Sequence, residues 1–295
     1  MAENELLKQT GFPDLDQPPR RVVSIVPSIT ESLFDLGFGE SVVGITDYCI
    51  HPKEKVHGLP KVGGPKNPNI EKIEALNPDF VFANQEENSQ QAIKSILNLG
   101  VGVWLSFPQN VDESLDVLRT MLAIYHTDKP ALKIVTLQNA VDYARAAAED
   151  SPKVKFYCPI WKDALGDVQW WMTFNKNTYS HDLLALLGGE NIFADRKRLY
   201  PLKADLGIEP QEDQEGADTR YPRVTSDEIN ELAPEVILLP DDPFNFNEQH
   251  KQDILTELRD TPAVKNKRIH FLDGSLITWP GTRLGKALQE LPQYL

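Results

Sequence analysis

Ring and amide side chains suited to hold a bulky ligand gather in this chain at the ends of predicted strands. Tyr48, Trp104, Trp161, Trp170, Trp171, Tyr200, Tyr221 and Trp279 all fall at such ends or in nearby loops. Broad rings with a polar tip suit the wall of a ligand cleft, and the same rings suit ordinary core packing. Trp104, inside an apolar run, reads as core. For Trp170, Trp171 and Trp279 both readings stand. Lys66 and Asn67 in a Gly-Pro loop, and Asn84 to Asn88 after a strand, add groups able to hydrogen-bond amide or phosphate substituents, although loop solvation explains them equally well. Arg283, after Pro280-Gly281, is either a ligand contact or a residue of a helix N-terminus.

Other chemistries find little support. His51, His57 and His181 lie near these loops, but no H-E-x-x-H or C-x-x-C spacing is present, so no metal site is expected. Asp163, Asp167 and Asp182 read as surface charge. Without a G-x-S-x-G elbow, P-loop or G-x-G-x-x-G, no catalytic residue is expected, and a hydrolase or metalloenzyme is the outlying alternative. Cys49 and Cys158 are far apart and are expected to be buried thiols, with pairing left open.

The formal charge of -14 disfavours nucleic acid and anionic membrane, which carry the same sign. With 41% hydrophobic and 25% charged residues, the 295-residue chain can bury real cores and is long enough for two lobes. No apolar run reaches the roughly 18 residues that span a bilayer. The N-terminus lacks a basic and an apolar signal region, so the expected compartment is the cytoplasm; the alternative is the periplasm or cell surface, if a signal was removed or omitted. A monomer is expected.

These side chains need a frame, and the frame reads as α/β. Residues 1–20 form a flexible lead-in. Arg21–Val26 is a short apolar strand stopped by Pro27, and Ser28-Ile-Thr-Glu31 matches a capping box opening a helix that ends at Gly37. Strands follow at 41–45, 80–83 and 101–105, with helices at 70–76 and 89–99 between them. This alternation implies a mostly parallel sheet covered on both faces. From 111 to 149 the apolar period is helical, and 130–148 could run as one helix of about 28 Å. The second half repeats the scheme, with strands at 154–157, 236–239 and 268–272 and helices at 180–187, 227–232 and 281–291, around a polar, acidic loop at 203–220. The expected organisation is an N-terminal lobe at 21–128, a bridging helix at 129–150 and a C-terminal lobe at 151–295.

A weak repeat supports two similar lobes. Glu71-Lys-Ile-Glu-Ala-Leu-Asn-Pro-Asp-Phe-Val-Phe-Ala83 lines up with Asp227-Glu-Ile-Asn-Glu-Leu-Ala-Pro-Glu-Val-Ile-Leu-Leu239, half the chain later. Each copy opens with a carboxylate, runs through a helix to proline and ends in a strand. The bland alternative is that any helix-proline-strand unit looks like this, and acids at helix starts are favoured by the dipole whatever their role.

Ser24-Ile-Val-Pro-Ser-Ile-Thr-Glu31, Val43-Gly-Ile-Thr-Asp-Tyr48, the unit at 70–83, Gly188-Gly-Glu-Asn-Ile-Phe193 and Pro280-Gly-Thr-Arg283 occur in this order. With them the chain resembles the substrate-binding proteins of vitamin B12 and iron-siderophore ABC importers, from about residue 20 to the end. Thr46–Cys49, Gly63–Pro68, Glu86–Asn88 and Pro159–Trp161 are similar to a cobalamin-binding branch of that family. The resemblance implies two α/β lobes joined by one long helix, with a corrinoid held between them as cargo and no prosthetic group. It points to Tyr48, Trp161 and Tyr221 as ligand contacts, and Lys66, Asn67, Asn84, Trp171 and Trp279 complete the expected ligand-binding set. It also implies that Glu71 and Asp227 dock against arginines of a permease; paired carboxylates would orient a basic partner. Asp227 departs from the more common Glu, and its shorter side chain bears on the strength of that docking. A ferric siderophore or haem is the alternative cargo, and a pure interaction module is a further reading.

Overall fold

The computed structural model describes residues 15–149, 151–166, 168–211 and 218–295. Expectations placed on residues 1–14, Asp150, Asp167 and the stretch 212–217 of the acidic loop lie outside the described residues.

The chain divides into two compact units. Among the described residues the first runs to Pro108 and includes Asp112–Asn139 and Trp279–Leu284; the second comprises Gln109–Val111, Ala140–Thr278 and Gly285–Leu295. The helix Ala131–Glu149 therefore contributes its first turns to one unit and its remainder to the other. Among the described residues no helix is long and apolar enough to cross a membrane.

In the first unit, β1 (Val22–Ser24), β2 (Val42–Ile45), β3 (Phe80–Asn84) and β4 (Gly102–Ser106) form a parallel sheet in the order β2-β1-β3-β4. Every residue of β1 and β3 is buried, as expected for a parallel sheet covered on both faces. Val23, Ile25, Ile73, Val81, Ile93 and Ile96 build one core cluster of this unit.

The second unit contains β5 (Val154–Tyr157), β6 (Trp161–Leu165), β7 (Val168–Met172), β8 (Gly189–Asn191), β9 (Arg223–Val224), β10 (Val236–Pro240) and β11 (Ile269–Leu272). Its parallel sheet has the order β11-β10-β5-β8. Counted along the chain, both parallel sheets thus share the strand order second-first-third-fourth. A separate antiparallel sheet, β6-β7-β9, is specific to this unit.

The sequence repeat is also a structural one. The helix Ile70–Ala75 leads through Asn77, at φ 47°, and Pro78 into β3; the helix Ser226–Leu232 leads through Ala233, at φ 51°, and Pro234 into β10. Both strands are third in their sheets. The next residue closes the same backbone-and-carboxylate pair in each unit. Asp79 N–H donates to Arg21 O at 2.9 Å, and Arg21 N–H donates to Asp79 Oδ1 at 3.0 Å. Glu235 N–H donates to Lys155 O at 2.8 Å, and Lys155 N–H donates to Glu235 Oε2 at 2.8 Å.

Some local expectations need correction. The first helix spans Pro27–Asp35 and starts after Val26 with no side-chain cap, so Ser28 and Glu31 form no capping box. Proline's fixed φ suits the first helical position, which places Ser28 inside the helix, where it cannot cap. The hairpin β6–β7 occupies a stretch given no element from sequence, and helices also form at Leu202–Asp205, inside the expected acidic loop, and at Glu248–Glu257. The terminal helix begins at Leu284 and not at Gly281, whose φ of 107° is incompatible with a right-handed helix.

Candidate functional site

Because β1 to β4 run parallel, their carboxyl ends share one edge, where open α/β sheets commonly receive ligands. Tyr48 follows β2 and is 60% exposed. The loop Val62–Asn69 is pinned beside it: Val62 N–H donates to Ile45 O and Asp47 N–H to Gly63 O, both at 2.9 Å. Lys66 and Asn67 are exposed on that loop. Lys66 Nζ donates to Glu86 O at 2.8 Å, and Asn88 Nδ2 donates to Pro65 O at 3.0 Å, which ties the loop to the turn after β3.

Asn84 and Trp279 are placed differently from the expectation. Asn84 is buried; its Oδ1 accepts from the amides of Glu86 (2.7 Å) and Glu87 (3.2 Å), and its Nδ2 donates to Ser106 Oγ at 3.2 Å. Its amide shapes the turn, so its assignment to a ligand is not carried forward. Trp279 is 8% exposed and packs edge-on to His51, with Arg283 over its ring. Arg283 itself is bound to the Glu31 carboxylate.

In the second unit, Trp161 opens β6 and is 42% exposed. Its ring meets Phe244 at 5.1 Å, and Phe244 contacts Phe246 and His250 in turn. Sequence reasoning missed this aromatic group; the available signal was Pro243-Phe-Asn-Phe246 directly after a buried strand. His250 Nδ1 accepts from Asn247 N–H at 3.1 Å, which leaves the proton of the neutral ring on Nε2. Tyr221 is half-buried, with the Arg220 guanidinium 5.1 Å from its ring centre. Trp171, in contrast, is wholly buried in the unit's core with Tyr157, Val224 and Phe246. A ring covered on all sides has no face for a ligand, and this assignment is also dropped.

Glu71 and Asp227 occupy the same station in the two units. Each is exposed and is the second residue of its helix. Asn69 Oδ1 caps the first helix by accepting from Lys72 N–H at 2.9 Å. Thr225 and Glu228 form a reciprocal capping box on the second. The carboxylates stand free of the caps, where the dipole favours negative charge.

The remaining candidates have structural partners. Asp182 Oδ2 accepts from Val111 N–H at 2.8 Å, and Asp163 Oδ1 accepts from Ala164 N–H. His181 Nδ1 accepts from Asn191 Nδ2 at 3.3 Å; the amide's orientation is set because Asn191 Oδ1 accepts from Phe193 N–H. Burial pulls the His181 pKa below its ordinary value. Cys49 and Cys158 are both free, buried thiols, each raised in pKa chiefly by burial. Among the described residues no three His, Cys, Asp or Glu side chains gather as a metal-ligand group.

Two α/β units of like strand order carry these side chains. The chain belongs to the periplasmic binding protein family, whose model matches residues 22–276. It is 27% identical, over 95% of its own length and 81% of the relative's, to YvrC of Bacillus subtilis (strain 168), named as an uncharacterized ABC transporter substrate-binding lipoprotein. It is 28% identical, over 78% of its length and 81% of the relative's, to a vitamin B12-binding protein of Yersinia pestis (strain Pestoides F). The periplasmic haem-binding protein RhuT from Roseiflexus sp. RS-1, in its apo form, shares the fold at a TM-score of 0.74 and 24% identity, covering 93% of this chain and 97% of that one.

Proposed function

We propose that this protein is the substrate-binding component of an ABC importer, that it binds and does not transform its ligand, and that its cargo is a corrinoid of the cobalamin type. The observation that carries this reading is the likeness to a vitamin B12-binding protein over most of both chains. The exposed Tyr48 and Trp161, the half-buried Tyr221 and the polar pair Lys66 and Asn67 supply apolar faces and hydrogen-bonding groups of the kind a corrin ring with amide side chains needs. Glu71 and Asp227 are the proposed contacts to a basic permease surface. The family and the lipoprotein relative favour a site of action outside the cytoplasmic membrane, the alternative to the cytoplasmic expectation.

Haem or a ferric siderophore is the second reading, favoured by the fold shared with a haem-binding protein. Calorimetric titration with cyanocobalamin, dicyanocobinamide, haemin and a ferric hydroxamate separates the two. Tight binding of either corrinoid with no response to haemin is the expected result. Binding of haemin or the hydroxamate alone would replace the corrinoid reading, and no binding to any of the four would overturn both.

A further inference from the structure

Residues 161 and 162 lie next to each other on β6 and point to opposite faces of the strand. Trp161 is 42% exposed, whereas the Lys162 side chain is only 9% exposed. Lys162 Nζ stands 2.6 Å from Asp253 Oδ2, 3.5 Å from Glu257 Oε1 and 4.5 Å from the ring centre of Trp171, its cross-strand partner. Glu257 then reaches the next element: its Oε2 accepts from Ser226 Oγ at 2.5 Å, and its backbone carbonyl accepts from Asn230 Nδ2 at 2.9 Å. Trp171 Nε1 also donates to Ser226 Oγ, at 3.4 Å. Ser226 is the first residue of the helix whose second residue is Asp227. Continuous polar contacts therefore run from the residue beside the exposed ring to the residue beside the exposed carboxylate.

We propose that Lys162 and Glu257 are positioning residues that lock the hairpin bearing Trp161 to the helix bearing Asp227, so that the two respond as one body. The functional weight of this lock rests on the reading that Trp161 meets cargo and Asp227 meets a permease. A desolvated ammonium is costly unless fully paired, and here one cation serves two carboxylates and a ring. Removing it leaves Asp253 and Glu257 facing each other without the charge that holds them, and frees Ser226 from a fixed acceptor. The β7–β9 pairing still joins the hairpin to the chain entering the helix. The loss is therefore one of registration and not of the fold.

Hydrogen–deuterium exchange of the intact protein tests the lock without any ligand. In the wild type, amides of the hairpin strands 161–165 and 168–172 and of the helix 226–232 should exchange with a common protection factor. In Lys162→Met both segments should exchange at least tenfold faster and at different rates from each other, with β10 unchanged; Glu257→Gln should do the same to a smaller degree, and Lys162→Arg, which can still bridge both carboxylates, should restore the common rate. Exchange within twofold of wild type in both Lys162→Met and Glu257→Gln would overturn the proposal. In a second arm with cyanocobalamin, added protection should reach 226–232 in the wild type and Lys162→Arg but not in Lys162→Met. If the wild type binds no cyanocobalamin, the corrinoid reading fails, and the ligand-free arm still decides the lock.

Discussion

Arg283 donates from Nε and Nη2 to the two carboxylate oxygens of Glu31, each at 2.7 Å, across 252 residues of sequence. The side chains are 3% and 14% exposed. Around this pair the returning segment Trp279–Leu284 is fastened to the helices Pro27–Asp35 and Val111–Ile124. Gly281 N–H donates to Ser114 Oγ at 2.7 Å, Thr282 N–H to Ser32 Oγ at 3.2 Å, and Thr282 Oγ1 to Asp35 Oδ2 at 2.7 Å. A chain that has already built the second unit is brought back into the first by side-chain chemistry, with no strand pairing to guide it.

Glu31→Ala removes the bidentate partner of a nearly buried guanidinium. The expected cost is about 3 kcal/mol, because the charge left behind must be accommodated in a poorly solvated place. Arg283→Lys should recover little of the stability that Arg283→Ala loses, since one ammonium cannot match both oxygens in a planar fork. Urea denaturation measures both. A loss below about 1 kcal/mol for Glu31→Ala, the range of a surface pair, would mean the neighbouring serine and threonine contacts hold the segment alone.

His181 gives stability a pH dependence of known sign. Burial lowers its pKa in the folded state; Asp182 and Asp195 pull the other way, and Lys176 adds to the lowering. The unfolded imidazole titrates near about 6.5. Below that value the unfolded chain takes up the proton first, so stability is whole above about pH 6.5 and falls as pH drops. Protonating Nδ1 would also break the bond from Asn191. His250 and His270 are lowered too, chiefly by burial, so part of the slope belongs to them. His181→Gln should flatten the decline between pH 7 and pH 5 without abolishing it. A slope identical to wild type would remove His181 as a contributor.

Much of the frame was legible in the sequence because continuous apolar runs such as Phe80–Ala83 and Val236–Leu239 have few other places to go. The repeat around Glu71 and Asp227 was legible for the same reason, since each copy has to turn a helix into a buried strand through proline. What escaped was set by contacts between distant residues. Nothing local says that Glu31 pairs with Arg283 instead of capping its own helix. The hairpin β6–β7 did carry a local sign, the glycine at 166, which follows the paired residue Leu165 at φ 61°. Trp161 and Trp171, on the two strands of this hairpin, have different fates, 42% and 0% exposed, and periodicity could not tell which was covered. Trp171 packs in the core with Val224 and Phe246, residues 53 and 75 positions away whose approach sequence spacing does not reveal.

That difference between rings is testable. Trp161→Ala should weaken cyanocobalamin binding by about 2 kcal/mol or more, the size of an interface hot spot, while lowering the melting temperature less than Trp171→Ala does, because the ring is 42% exposed. Trp171→Ala should instead cost about 3 to 5 kcal/mol of stability, as buried aromatic truncations do. Calorimetry and thermal denaturation on the two variants separate the effects. Unchanged affinity in Trp161→Ala would take that ring out of the proposed site.

Glu71 and Asp227 share a helix position, an exposed setting and an independent cap, so their removal should leave both folds intact. The dipole contribution of an exposed first-turn acid is about 0.3 to 1 kcal/mol, small beside the stability of a domain. The double variant Glu71→Ala, Asp227→Ala should therefore keep its melting temperature within a few degrees and its cargo affinity within a factor of about two. Delivery to a permease is another matter, because charge pairs at a protein interface set orientation and encounter rate. Transport reconstituted with the partner permease should fall to the level seen without binding protein, and each single variant should lie between. Asp227, with the shorter side chain, should tolerate exchange to Glu with equal or better transport. Normal transport by the double variant would end the docking assignment while leaving the ligand reading in place.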